Sequence, residues 1–137
     1  MKCLLDANII LDVLCDRAPY YEDSDKILKL CETGLIDGYI TTLSFANIVY
    51  ILRKELDPQR VKETFAVLRQ IVSFLDLSVK DLEQAANMLL PDFEDALQIA
   101  IAARSKADCI ITRNPKHYVT ESIVVYTPEE FLKTHVF

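Results

Sequence analysis

Short apolar runs along this chain break off at polar residues, and between them apolar positions return at helical spacing. The first run is brief: Cys3, Leu4 and Leu5 stop at Asp6. A run so short and so apolar predicts a strand covered on both faces, with the acid at its carboxyl end. In open parallel sheets ligands bind along that edge, where strand order reverses, so the strand also predicts a site. Residues 38–41, 71–75, 109–112 and 123–126 repeat the pattern and predict four more strands.

The intervening segments read as helices. Ile9, Ile10, Val13 and Leu14 keep helical spacing in a short helix that begins at the end of the first strand. A helix over 21–32 turns Ile27, Leu28 and Leu30 inward and ends at Gly34 as its C-cap. Over 43–54, Leu43, Ala46, Ile48, Val49, Ile51 and Leu52 predict a buried helix. Asp57 and Pro58 supply the N-cap and first-turn proline of the next one. Ser78 and Asp81 resemble a capping box that opens a helix reaching about residue 90, where Pro91 ends it. Asp92 caps a helix over 93–106 whose interior is apolar nearly all round, so it packs closely on the sheet. Thr127, Pro128 and Glu130 open a terminal helix. Strands alternating with helices, around buried apolar runs, predict a parallel α/β sandwich with helices on both faces.

Composition narrows this picture. The 137 residues predict one domain, able to bury a core without metal or disulfide staples, and 51% hydrophobic with 26% charged residues is the balance of a soluble globular protein. Cysteines at 3, 15, 31 and 109 form no Cys-x-x-Cys pair and no zinc-like spacing, which predicts reduced thiols and a cytoplasmic setting. Asp6 breaks the first apolar run too early for a signal peptide, and no run is long enough to span a membrane. The formal charge of −6 argues against strong non-specific attraction to nucleic acid. That charge is uneven: six acids and one lysine lie between Asp76 and Asp95, while Arg104, Lys106, Arg113 and Lys116 accompany only Asp108. An acidic cluster beside a basic rim suits a cation-dependent site for phosphates, and solvated helix faces would give the same pattern.

The two glycines are too few for a dinucleotide fingerprint or a phosphate-cradling loop. His117 and His135 are the only histidines and there is no Gly-x-Ser-x-Gly elbow, so nucleophilic serine chemistry has little support. Carboxylates at strand ends and helix starts remain. Asp6 ends the first strand, Asp92, Glu94 and Asp95 open the apolar helix, and Thr112, Arg113 and Asn114 follow the fourth strand. If the first and fourth strands are neighbours, all three groups meet at one edge. Gathered carboxylates raise one another's pKa unless a cation neutralises them. Mg²⁺ or Mn²⁺ would do so with one or two carboxylates, waters and phosphate oxygens, and would activate water for in-line attack on a phosphodiester.

Plainer roles compete for several of these residues. Asp92 reads as an N-cap before it reads as a ligand, whereas Asp95 reads as a ligand before a dipole partner. Asp6 has no capping motif to explain it. Asn8 could cap the first helix or orient Asp6, Asn114 reads alone as a turn residue before Pro115, and His117 as a loop histidine. Asp12, four residues past Asn8, is expected to be solvated.

Three segments together resemble a PIN domain: Leu-Leu-Asp-Ala-Asn-Ile-Ile-Leu-Asp at 4–12, Asp-Phe-Glu-Asp-Ala-Leu-Gln-Ile-Ala at 92–100, and Ala-Asp-Cys-Ile-Ile-Thr-Arg-Asn-Pro-Lys-His-Tyr at 107–118. The likeness is closest to small prokaryotic PIN proteins grouped with VapC-type toxins of toxin–antitoxin modules. It implies a three-layer α/β sandwich around a five-stranded parallel sheet of order 3-2-1-4-5, and a Mg²⁺- or Mn²⁺-dependent endoribonuclease. On that pattern Asp6 is the first acid, Asp95 the third, and Asn114 stands where a fourth acid often does. The second acid falls at Asn47, and His117 occupies a place where this branch often has aspartate. Asp6, Asp95 and Asn114 would then serve catalysis, with Asp92 joining Asp6 and Asp95 on the metal. Asn8, Asn47, Glu94 and Thr112 would support them, and Arg113 and Lys116 would reach nucleic acid. The implied partners are an RNA substrate, an antitoxin protein and a second copy in a homodimer. A catalytically weakened PIN fold that binds RNA or a protein is the competing reading, motivated by Asn47, Asn114 and His117. A phosphotransfer domain with Asp6 as nucleophile fares worst, because Asn8 replaces the second aspartate of an Asp-x-Asp pair.

Overall fold

Cys3, Leu4 and Leu5 lie at the centre of the sheet, each no more than 1% exposed, as their unbroken apolarity requires. The computed structural model describes residues 1–118, 120, 122–135 and 137. Its strands are β1 (Lys2–Leu5), β2 (Asp37–Thr41), β3 (Ser73–Leu75), β4 (Cys109–Ile111) and β5 (Val124–Tyr126). All pair in parallel, in the order β3-β2-β1-β4-β5. The helices are α1 (Ala7–Leu14), α2 (Tyr21–Glu32), α3 (Thr42–Ile51), α4 (Pro58–Ile71), α5 (Val79–Met88), α6 (Phe93–Arg104) and α7 (Pro128–Thr134). Among the described residues, no helix is long and apolar enough to cross a membrane.

Alternation along the strands sorts the helices into two layers. Cys3, Leu5, Cys109 and Ile111 join a core with residues of α1, α2, α4 and α7, including Ile9, Ile27, Leu68 and Phe131. Leu4 and Ile110 point the other way, onto Ile99 and Ala102 of α6. Residues Ala96 to Ala102 of α6 are all buried, Gln98 included. This accounts for a helix that reads as apolar on every side.

Local signals place most boundaries. Gly34 ends α2 with φ +78°, and its N–H and that of Leu35 bond the carbonyls of Cys31 and Leu30, a Schellman closure. The capping boxes of α5 and α7 form through Ser78 with Asp81 and Thr127 with Glu130, and Asp57 caps α4. Gly38 has a different reason to be glycine. A Cβ there would collide with Cys31 Sγ and press on Val72 Cγ1 at 3.3 Å. Gly38→Ala should therefore cost about 1–3 kcal/mol of stability by overpacking; an unchanged urea midpoint would refute this.

Two elements depart from expectation. The third helix ends at Ile51 rather than 54 and is not buried: Ile48 and Ser44 are its buried residues, while Ala46 is exposed and Ile51 is 48% exposed. At roughly 100° per residue its apolar positions scatter round the axis, so no single packing face can cover them. The third strand starts at Ser73 rather than 71, because α4 runs on through Ile71 and Val72 still donates to Leu68 O at 2.8 Å.

Candidate functional site

Pairing of β1 with β4 decides what meets at the carboxyl edge. Asp6 N–H donates to Ile111 O at 2.9 Å, which carries the β1–β4 register one step past the strands and sets Asp6 beside Thr112. Thr112 Oγ1 donates to Asp6 Oδ2 at 2.8 Å. The Tyr118 hydroxyl donates to the same oxygen at 2.9 Å. Asp6 is also the N-cap residue of α1, but its side chain makes no cap bond.

Asn8 does not cap α1, and it bears on Asp6 through Thr112. Its Nδ2 donates to Thr112 Oγ1 at 3.4 Å and its Oδ1 accepts from Arg113 N at 3.3 Å, so it ties α1 to the loop after β4. Asn114 N also donates to Thr112 Oγ1, at 3.2 Å, and Asn114 itself is exposed at the head of a 3-10 turn, Pro115–His117. Asp6 thus sits against a braced loop, with Thr112 as its hub.

The second wall is the start of α6. Asp92 caps the helix by accepting Asp95 N–H at 3.0 Å, so the plainer of its two readings is the one observed. Asp95 is at the third helical position, and its Oδ2 is buried without a hydrogen-bond partner among the described residues. Burial, then the charges of Asp92 and Asp6, push its carboxyl up to about 6, against 3.8 for an ordinary aspartate, with His117 pulling the other way. Glu94 is raised by burial too, and by Asp6 and Asp92, while its bond from Asn47 opposes the rise. Asn47 Nδ2 reaches Glu94 Oε1 at 2.7 Å, bringing α3 to the same edge.

Asp6, Asp92, Glu94, Asp95, Asn47 and Thr112 are therefore one electrostatic unit, and it is short of positive charge. Among the described residues, no three His, Cys, Asp or Glu side chains are gathered closely enough to hold an ion by themselves. A hard cation would have to complete its shell with water and substrate oxygens, as Mg²⁺ commonly does. Asp95 Oδ2, without a hydrogen-bond donor among the described residues, fits such a guest, since a buried anionic oxygen is costly without one.

Asp95 also makes a pH prediction. An aspartate that titrates near 6 when folded holds its proton more tightly there than in the unfolded chain. Its contribution to stability is full below its ordinary value and is lost as pH rises through about 6. In chelator, the stability gained by Asp95→Asn should be larger at pH 7 than at pH 5. Equal gains in urea titrations at the two pH values would contradict this.

Asp12 is the clearest correction. It is 0% exposed rather than solvated, with Ser24 Oγ donating to its Oδ2 at 3.2 Å and Arg113 Nε 3.0 Å away. The Arg113 N–H is not aimed at the carboxylate, so this is a charge contact rather than a hydrogen bond. Burial raises the Asp12 carboxyl more than Arg113 and Ser24 lower it. Arg113 also stacks on Tyr20, 4.3 Å from the ring centre. Its side chain is thus turned inward, away from the role of a projecting nucleic-acid contact, whereas Lys116 is exposed. The adjoining cavity of about 270 Å³, bounded in part by Tyr20, Ser24, Arg113 and Thr127, is lined by none of the acids at the sheet edge.

Tyr118 is the residue that sequence reading passed over. It closes the third quoted segment, but nothing in its spacing says that its hydroxyl turns back to Asp6. Burial and the Asp6 charge both raise its pKa, which keeps the phenol protonated and able to donate.

A family model described as PIN domain matches residues 2–116. A toxin–antitoxin complex from Klebsiella pneumoniae is similar in structure, with TM-score 0.70 at 20% identity over 92% of this chain and 97% of that one. VapBC2 from Rickettsia felis, bound to a DNA fragment from its promoter, gives TM-score 0.68 at 16% identity over 91% and 97%. VapC20 of Mycobacterium tuberculosis, described as a sarcin-ricin loop cleaving toxin, gives 0.63 at 11% identity over 79% and 86%. At these identities the likeness is one of fold. No curated protein matches the sequence.

Proposed function

This chain belongs to the PIN domain family, and on that premise we propose that it is a Mg²⁺- or Mn²⁺-dependent endoribonuclease, the toxin of a toxin–antitoxin pair. The observation that carries the reading is the buried, unpartnered Asp95 Oδ2 in the field of Asp6, Asp92 and Glu94. A proton or a cation relieves the repulsion in such an arrangement, and at neutral pH a cation is the effective choice. Asp6 and Asp95 would hold the ion, with Glu94 in reserve and Asp92 kept to its cap. When bound, the ion supplies the positive charge that phosphodiester hydrolysis needs at the attacked phosphate. Thr112 and Asn8 keep Asp6 and the loop after β4 in place, and exposed Lys116 and Asn114 face solvent where an RNA backbone could be met. The solved toxin–antitoxin relatives support an antitoxin partner, and a homodimer and a cytoplasmic setting belong to the same proposal.

The test is cleavage of a panel of structured RNAs in chelator, followed by graded return of Mg²⁺ or Mn²⁺. Cleavage that stops and resumes with the cation supports the mechanism. Cleavage indifferent to chelation sinks it. A second reading, a PIN fold that binds RNA or protein without cutting, draws on Asn47, which engages Glu94 where a further acid would otherwise stand. Tight RNA binding with no cleavage at any cation concentration would favour it.

A further inference from the structure

Both side-chain donors that reach Asp6 bond the same oxygen. Thr112 Oγ1 and the Tyr118 hydroxyl converge on Oδ2 at 2.8 and 2.9 Å, and no hydrogen bond from a described residue reaches Oδ1. Both donors are buried and held from several sides. Thr112 is a small residue in a loop, itself braced by Asn8 and by Asn114 N. Tyr118 is 5% exposed, and its ring belongs to the core formed by Leu4, Ile99, Ala102 and Ile110. That core ties it to β1, β4 and α6 together: Asp6 follows β1, Thr112 follows β4, and Glu94 and Asp95 lie on α6. A phenol wedged among them has little rotamer freedom, so its hydroxyl marks a fixed point in the frame of the sheet.

We propose that Tyr118 is a positioning residue that holds Asp6 in one orientation, with Oδ2 engaged and Oδ1 presented alone as a single-oxygen ligand. The proposal rests on the metal-dependent reading and adds to it a residue outside the acidic set. Ring and hydroxyl have separate duties: the ring packs the core under the edge, and the hydroxyl sets the carboxylate. Losing the hydroxyl alone leaves Oδ2 with one donor and frees the carboxylate to rotate away from the orientation in which an ion would be held. Outer partners of metal ligands typically change affinity by about 10–100-fold when removed.

Calorimetric titration of the full chain with Mn²⁺ alone tests this, comparing wild type with Tyr118→Phe, which keeps the ring. The expected result is about 10-fold weaker Mn²⁺ binding with an unchanged circular dichroism spectrum. Equal affinity in the two proteins overturns the positioning role and leaves the nuclease reading standing. Absence of Mn²⁺ binding in the wild type overturns both. If Tyr118→Phe does not fold, the wild type still decides: its protected Tyr118 hydroxyl proton should shift in the NMR spectrum when Mg²⁺ is added. An unmoved resonance at saturating Mg²⁺ overturns the proposal.

Discussion

On the proposed nuclease reading, Asp6→Asn is expected to fold like the wild type and to cleave RNA about two to three orders of magnitude more slowly, the scale lost when one charge-stabilising group is removed from a site. The size of the effect follows from what surrounds Asp6. Thr112 and Tyr118 both donate to Oδ2, so an amide at this position must offer them its oxygen. Its NH₂ group then occupies the place of Oδ1. A positive dipole edge would face the cation where a negative oxygen stood, which is worse than simple loss of charge. The fold should survive because the substitution preserves volume and keeps an acceptor for both hydroxyls. Cleavage rates under substrate saturation, with circular dichroism as the folding control, measure the outcome. Activity within a few-fold of wild type would remove Asp6 from the mechanism.

Asp12→Ala should cost about 3 kcal/mol, near the lower end for breaking a buried ion pair, because Arg113 keeps some access to solvent. The Arg113 side chain is 20% exposed and the Asp12 side chain 0%. Removing the acid strands the guanidinium between Tyr20 and an emptied pocket, and leaves Ser24 Oγ without its acceptor. The pair itself is not the source of the stability, since burial raises the Asp12 carboxyl despite the neighbouring arginine. The double variant Asp12→Ala/Arg113→Met should therefore recover much of the loss. Urea titrations of the wild type and the two variants give the comparison. A double variant as unstable as Asp12→Ala alone would show that the cost lies in cavity formation rather than in the orphaned charge. The same inward turn explains why a basic residue after the fourth strand does not serve as a free cation. Positive charge in that loop is partly committed to the fold.

Much of the architecture could be read in one dimension. Helix starts at Asp57, Ser78, Asp92 and Thr127 carry side chains that bond backbone three residues on, as short-range spacing implies. The α6 interior is buried nearly all round because its residues, Gln98 apart, are apolar. Sheet order is a different matter. Periodicity predicts five strands without ranking them, and the order 3-2-1-4-5 came with the likeness of three segments to a family. The amphipathic reading failed at α3, where spacing alone overstated burial, and at Asp12, where a helical i,i+4 argument took no account of a loop about a hundred residues further along the chain.

The sequence by itself determined the alternation of strands and helices, the caps that start them, and the position of Asp6 at the end of a buried run. These depend on neighbours within a turn or two, which propensity and hydrogen bonding along the chain dictate. Only the tertiary structure decided that Asn47 meets Glu94, that Arg113 turns to Asp12, and that Tyr118 returns to Asp6 across 112 positions. Those contacts form between groups whose separation is set by strand register and loop path. Once Cys3 lies beside Cys109 in the sheet, every residue just beyond β1 and β4 is brought to a common edge. The first acid of the chain acquires its setting there, because packing rather than sequence distance determines which hydroxyls and charges it meets.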